Sequence, residues 1–162
     1  MSHPFFTHSK IISPGDIKSR RVAARAEGKT VATLNGSFDL LHAGHLQIIF
    51  AGKDEADILC VALNSDESIR TYKGEDRPII PLEYRLEMMA ALAPVDWVTW
   101  FDETDPRAIL REIHPDVHVN GEEYGADCIE KGVLDEIGAR LHLVPRVPSL
   151  ATSAIIEKIK GI

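Results

Sequence analysis

From Val31 onward, short apolar runs alternate with segments of mixed apolar and polar character. Val31–Leu34 is a brief apolar run that reads as a strand. Ile58–Leu63 (ILCVAL) is apolar throughout, the mark of a strand buried on both faces. Trp97–Phe101, Val117–Val119 and Leu141–Val144 read as further short strands. Between them, the spacing predicts helices over Leu46–Lys53, Leu82–Leu92, Pro106–Ile113, Ile129–Ile137 and Thr152–Lys160. The punctuation agrees: Pro106 suits a first turn, Gly138 marks a stop, and Pro94 bars continuation beyond Leu92. Ahead of this alternation, Pro14-Gly15-Asp16 reads as a turn. A helix rich in Ala, Arg and Lys is expected over Ile17–Glu27, stopped by Gly28. Strands alternating with helices imply parallel βαβ units. The expected fold is α/β, a doubly wound, mostly parallel five-stranded sheet of Rossmann-like type. Residues 1–28 are expected to form an arm and helix, and residues 29–162 the α/β domain.

Composition adds bounds rather than a function. The 162 residues suit one domain with its own core, and 44% hydrophobic with 27% charged residues is ordinary for a globular chain. The net charge of −7 argues against a nucleic-acid partner, which a basic excess would favour. No apolar run reaches bilayer length, so no membrane partner is expected. The N-terminal residues lack a basic segment followed by an apolar one, so no secretory leader is expected. Cys60 lies within an apolar run and reads as an inert buried thiol, and Cys128 is far from it in sequence. A reducing, cytoplasmic setting fits both cysteines.

The candidate chemistry sits at the end of the first strand, in Asn35-Gly36-Ser37-Phe38-Asp39-Leu40-Leu41-His42-Ala43-Gly44-His45. Open α/β sheets bind ligands at this carboxyl edge. Histidines three apart share a helix face, and backbone N–H groups at a helix start favour an anion. Two readings stand at this point: a capping or surface pair, or two imidazoles aimed at a phosphate. Zinc would need further ligands at sensible spacing. His3, His8, His114, His118 and His142 are scattered and no Cys pair helps, so no metal ligands are assigned.

The same stretch resembles the His-x-Gly-His signature of the nucleotidylyltransferase superfamily. Val61–Asp66 resembles that family's second strand with its Asn-Ser-Asp ending. Lys73-Gly74-Glu75-Asp76-Arg77-Pro78 is similar to its Lys-Gly…Arg-Pro loop, and Pro81–Arg85 through Ala91-Leu92 to its next helix. Gly121-Glu122-Glu123-Tyr124 resembles Gly-Gly-Asp-Tyr, and Ala151-Thr152-Ser153 resembles Ser-Thr-Thr. The likeness runs from about Lys10 to Ile159. It is nearest to the D-glycero-β-D-manno-heptose 1-phosphate adenylyltransferases, with glycerol-3-phosphate cytidylyltransferases sharing the motifs less closely.

The resemblance implies transfer of the AMP moiety of ATP to a sugar phosphate, D-glycero-β-D-manno-heptose 1-phosphate, with release of pyrophosphate and formation of ADP-heptose. It implies ATP as co-substrate, Mg²⁺ carried on the triphosphate, and a homodimer. His42 and His45 would meet the α-phosphate, since such a transfer is mostly alignment and charge stabilisation. Lys73 would close over the phosphates from a loop, and Arg85 would meet the triphosphate or the substrate phosphate; these four are the expected catalytic residues. Asn35, Gly36, Ser37, Phe38, Gly44, Gly121, Glu123, Tyr124, Arg146, Thr152 and Ser153 are expected to bind the nucleotide. Asp39, Asn64 and Arg77 are expected on the acceptor side. Bland roles stand beside these: a turn for Asp39 and Asn64, a structural role for Arg77, a helix cap for Thr152-Ser153. Asn120 stands where the family has Lys, Glu122 replaces a Gly and Ala151 a Ser. Two alternatives are a cytidylyltransferase acting on glycerol 3-phosphate or another small phosphorylated alcohol, and a non-catalytic nucleotide sensor.

Overall fold

Five parallel strands carry the molecule, in the order β3-β2-β1-β4-β5. The computed structural model describes residues 8–145 and 151–162. The strands are β1 (Val31–Gly36), β2 (Ile58–Asn64), β3 (Trp97–Phe101), β4 (Val117–Gly121) and β5 (Arg140–Val144). The helices among the described residues are α1 (Ile17–Ala26), α2 (Ala43–Asp54), α3 (Asp66–Lys73), α4 (Leu82–Ala90), α5 (Arg107–Ile113), α6 (Lys131–Ile137) and α7 (Thr152–Lys160). The chain steps outward from β1 to β2 and β3, then returns to the other side of β1 for β4 and β5. That reversal opens a crevice between the carboxyl ends of β1 and β4, the place where such sheets bind ligands.

The unbroken apolar run of β2 is explained by burial on both faces: all seven residues are buried. Alternate positions go to opposite sides. Leu59, Val61 and Leu63 join Leu34, Ile49, Met89 and Val98 in one cluster, while Ile58, Cys60 and Ala62 join Val31, Ile109 and Ile113 in the other. Ile12, Ile17 and Ala24 belong to that second cluster, and Ile12 N–H donates to Val98 O at 2.8 Å beside β3. Burial pushes the Cys60 thiol up to about 12, consistent with an inert thiol. Among the described residues no helix is long and apolar enough to cross a membrane.

Two elements differ from the sequence expectation. The segment after β2, for which the sequence reading gives no helix and at whose end it places Lys73 in a loop, is helix α3. Ser65 caps it by accepting from Ser68 N–H, Asp66 and Glu67 occupy its first turn, and Ile69 is buried beneath it. Gly74, at φ 93°, ends it in a conformation glycine adopts without penalty. Helix α2 starts at Ala43, three residues ahead of Leu46, because His42 supplies the cap.

His118, on β4, is fully buried with Nδ1 2.8 Å from Thr33 Oγ1 and no partner for Nε2. Burial pushes it from the ordinary 6.5 down to about 4. The unfolded chain therefore takes up this proton first as the pH drops, which favours unfolding. Stability is expected to fall as pH decreases from 6.5 to about 4, by on the order of 3 kcal/mol from this residue, and to regain that amount as pH rises. Urea midpoints at about pH 7 and about pH 4.5 measure the loss. An equal loss in His118→Gln would show that the residue is not its source.

Candidate active site

The wall of the crevice is built by the turn between β1 and α2. Gly36 ends β1 with the Phe38 ring so near that a Cβ on residue 36 would lie 3.2 Å from Phe38 Cε2. Phe38 itself takes φ 46°, a left-handed conformation that is costly for a large side chain and persists only when its surroundings hold it. Two buried side chains do so. Asp39, 1% exposed, accepts from Ile79 N–H (2.9 Å), Ile80 N–H (2.8 Å) and Arg77 Nε (2.7 Å). Arg77 Nη2 lies 2.6 Å from the same oxygen, as a charge contact rather than a further hydrogen bond. Burial alone would raise the Asp39 carboxyl, but the two backbone amides and the Arg77 guanidinium outweigh it and hold it below the usual range. Arg85 donates to Ser37 O (2.7 Å), Asn64 O (2.9 Å), Ile80 O (2.8 Å) and Asp66 Oδ1 (2.6 Å). It thereby ties the ends of β1 and β2 to the starts of α3 and α4.

These contacts correct two expectations. Arg85 does not reach the crevice, since its guanidinium is buried and committed to protein acceptors behind the wall. Asp39 does not reach it either, being spent on Arg77 and two backbone amides. Arg77 takes the structural role by pairing with Asp39, and it also lines the larger of two cavities.

At the start of α2, His42 Nδ1 accepts from Gly44 N–H (3.1 Å), and His45 Nδ1 accepts from His42 N–H (3.3 Å). The two imidazoles close a reciprocal capping box and stack with centroids 3.9 Å apart. This geometry settles their tautomers. A ring nitrogen that accepts carries no proton, so each neutral ring holds its proton on Nε2. Burial lowers His42, and burial followed by the charges of His42 and Lys73 pushes His45 down to about 4. Near neutral pH both rings are therefore uncharged Nε2–H donors. The cap and the phosphate-directed readings of the sequence are thus compatible, because each ring caps with one nitrogen and keeps the other.

Both histidines line a cavity of about 670 Å³. Asn35, Gly36, Ser37, Phe38 and Gly44 line it from the β1–α2 side, and Gly121, Glu123 and Tyr124 from the end of β4. Thr152 and Ser153 border it as the first two residues of α7. The cap position of that helix is held by Ala151, so neither hydroxyl is a side-chain cap. Lys73 Nζ donates to Ser37 Oγ at 2.9 Å across the opening. Burial, then the charge of Arg77, lowers the Lys73 ammonium from its ordinary value. Asn64 lies outside this cavity, in an adjoining one of about 220 Å³ that shares Asn35, Gly36, Ser37, Lys73, Asn120 and Tyr124 with it. Arg146 lies outside the described residues.

Sequence reasoning missed Leu34, Ile48, Val144 and Pro145 in the larger cavity, and Tyr72, Phe101, Thr104, Pro106 and Glu130 in the smaller. The first four are ordinary core or strand-end residues. Glu130, beside Lys131, reads as the exposed start of a helix, yet it is 4% exposed. Chemically, the larger cavity offers neutral imidazole donors, one ammonium, hydroxyls and the amino end of α2, a set suited to a polyphosphate.

Known proteins resemble the chain in sequence and in structure. The bifunctional protein HldE of Streptomyces coelicolor is 42% identical over 146 residues, covering 90% of this chain and 31% of that protein. The protein of the same name from Coxiella burnetii is 37% identical over 156 residues, covering 94% of this chain and 32% of that protein. The chain thus spans about a third of the length of these curated relatives. A lipopolysaccharide core biosynthesis protein from Thermoplasma volcanium is similar in structure, at 27% identity and a TM-score of 0.60 over 74% of this chain and 98% of that one. Pantoate-β-alanine ligase from Francisella tularensis shares the fold at 18% identity, with a TM-score of 0.64 over 94% of this chain and 78% of that one. Residues 33–161 match the cytidylyltransferase-like family, and the chain therefore belongs to that family of nucleotidyltransferase enzymes.

Proposed function

We propose that the larger cavity binds Mg²⁺–ATP and that the enzyme transfers AMP to D-glycero-β-D-manno-heptose 1-phosphate, giving ADP-heptose and pyrophosphate. The observation that carries the reading is the pair of imidazoles whose Nδ1 atoms are occupied by backbone amides, leaving two Nε2–H donors at one cavity with Lys73. In the transfer, an oxygen of the acceptor phosphate forms a bond to the α-phosphorus. The bond from that phosphorus to the α,β-bridging oxygen breaks, and its electron pair leaves with pyrophosphate. No protein nucleophile takes part. His42 and His45 donate to the α-phosphate oxygens as charge grows on them. Lys73 offsets charge on the phosphates, while Thr152 and Ser153 supply hydroxyl and amide donors to the outer ones. Magnesium would come with the triphosphate and would supply neutralisation of its charge. The similarity to HldE proteins supports the heptose acceptor.

Pyrophosphate release with ATP or CTP, against heptose 1-phosphate, other sugar phosphates and glycerol 3-phosphate, tests the reading. Release is expected with ATP and the heptose phosphate. Release confined to CTP, or to glycerol 3-phosphate, would replace it with the cytidylyltransferase reading.

A further inference from the structure

The smaller cavity contains a buried carboxylate whose hydrogen bonding is incomplete. Glu130 immediately precedes α6, yet its side chain makes no capping bond to that helix. Each of its oxygens accepts from a side-chain amide at the far limit of hydrogen bonding, Oε1 from Asn35 Nδ2 at 3.5 Å and Oε2 from Asn120 Nδ2 at 3.4 Å. The remaining neighbour is the Cys128 thiol, a weak donor, which burial and then Glu130 push up. Among the described residues no cation pairs with Glu130. Asp39, the other buried carboxylate at this end of the sheet, has an arginine and two backbone amides instead. A buried carboxylate without strong donors is costly, and a ligand that supplies them gains what the protein withholds.

Asn35 points to the same missing chemistry. Its Oδ1 is buried without a partner, while its Nδ2 is turned toward Glu130. Rotating the amide would set its oxygen against the carboxylate, so the orientation is dictated. At this wall the Glu130 oxygens and Asn35 Oδ1 are acceptors without strong donors, so ligand groups that donate fit beside them. A cationic ligand is disfavoured because Lys73 already occupies the rim shared by both cavities. Neutral hydroxyls remain. At about 220 Å³ the space falls below the roughly 300–1,000 Å³ of sites for larger ligands, so the fit is to a small polyol or monosaccharide.

We infer that Glu130 determines acceptor specificity, its carboxylate accepting hydrogen bonds from adjacent hydroxyls of a sugar-type phosphate that lies in the smaller cavity with its phosphate beside Lys73. This rests on the transferase reading above and deepens it. Asn120 takes part by what it lacks: a lysine at that position would neutralise Glu130 and occupy its lone pairs, whereas the amide leaves them for the ligand.

The test compares D-glycero-β-D-manno-heptose 1-phosphate with its single-deoxy analogues, in the wild-type enzyme and in Glu130→Gln. In the wild type, at least one deoxy analogue is expected to lose about tenfold or more in kcat/KM. In Glu130→Gln, acceptor KM is expected to rise about tenfold to a hundredfold and the penalty for that analogue to collapse, with KM for ATP within about twofold. A purely structural role would weaken parent and analogue alike and leave their ratio intact, which overturns the proposal. So does a wild-type enzyme indifferent to every deoxy analogue, a measurement that needs no variant to fold. Asn120→Lys provides a second variant, with the same expected rise in acceptor KM.

If the wild type releases no pyrophosphate with the heptose phosphate, the proposed acceptor fails, and calorimetry then judges Glu130 alone. With a non-hydrolysable ATP analogue bound, mannose 1-phosphate is expected to bind at least about tenfold more tightly than hydroxyl-free ethyl phosphate. Glu130→Gln is expected to remove that preference. Retention of the preference in the variant, or its absence in the wild type, overturns the proposal.

Discussion

Replacing His45 with Ala is expected to lower kcat by at least about a hundredfold, the usual cost of losing one donor aimed at developing charge. The expectation follows from how the ring is held. His45 Nδ1 is engaged by the His42 backbone amide, so Nε2–H is the group left for the ligand. A donor that strengthens its bond as charge grows in the transition state acts on kcat, while KM for the triphosphate moves less. The variant also loses half of the capping box, and its melting temperature must be followed to separate that cost, about 1 kcal/mol, from catalysis. The charge state adds a sharper check. With His45 held down to about 4, the ring is neutral throughout the neutral range. The wild-type to His45→Ala ratio of kcat/KM, which reports the free enzyme, is therefore expected to be the same at about pH 6 and about pH 8. If imidazolium were the working form, the advantage would shrink steeply toward pH 8. Near-normal turnover in His45→Ala would remove the residue from the mechanism.

The parallel five-stranded sheet and its ligand edge were legible because they depend on local signals, whereas the strand order comes from the structure. The apolar run at Ile58–Leu63 and the alternation of short strands with helices imply a parallel sheet, and His42 to His45 falls at the one strand end where the topology reverses. The cavity lining from Asn35 to Phe38 and at Gly121 and Tyr124 follows from the same edge, while Thr152 and Ser153, on α7, were singled out by the family resemblance. Helix α3 was not read from the sequence, although Ser65-Asp66-Glu67 carries its signal as a cap and an acidic first turn. The roles of Arg85 and Asp39 were not legible. Each is set by partners distant in sequence, Ser37 for Arg85 at 48 residues and Ile80 for Asp39 at 41. Nothing local distinguishes an arginine that grips a phosphate from one that grips carbonyl oxygens. Glu130 escaped for a related reason. Its burial comes from Asn35, 95 residues away, and from Asn120, across a turn that carries no apolar pattern.

Arg85→Met is expected to destabilise the fold by about 3–5 kcal/mol, far more than loss of a phosphate ligand would. The side chain is buried, and its removal leaves the carbonyls of Ser37, Asn64 and Ile80 and the carboxylate of Asp66 without the donor they share. Unpaired buried acceptors each cost about 1–3 kcal/mol, and methionine fills the space without supplying an N–H. The damage would not stay local. Ser37 precedes Phe38, whose left-handed backbone depends on this clamp, and Phe38 packs 5.3 Å from the His45 ring. The β1–α2 turn is therefore expected to relax, and the histidine pair with it, so that turnover of the folded fraction also falls. Urea unfolding measures the first effect, and kcat and KM at a temperature where the variant stays folded measure the second. Arg85→Lys separates charge from geometry: one ammonium cannot span four acceptors that the guanidinium fork reaches at once, so most of the stability is expected to be lost with the charge intact. If either variant unfolds at the wild-type urea concentration while KM for ATP rises tenfold or more, Arg85 binds phosphate after all. The wall behind the histidines would then have to be held by Asp39 and Arg77 alone.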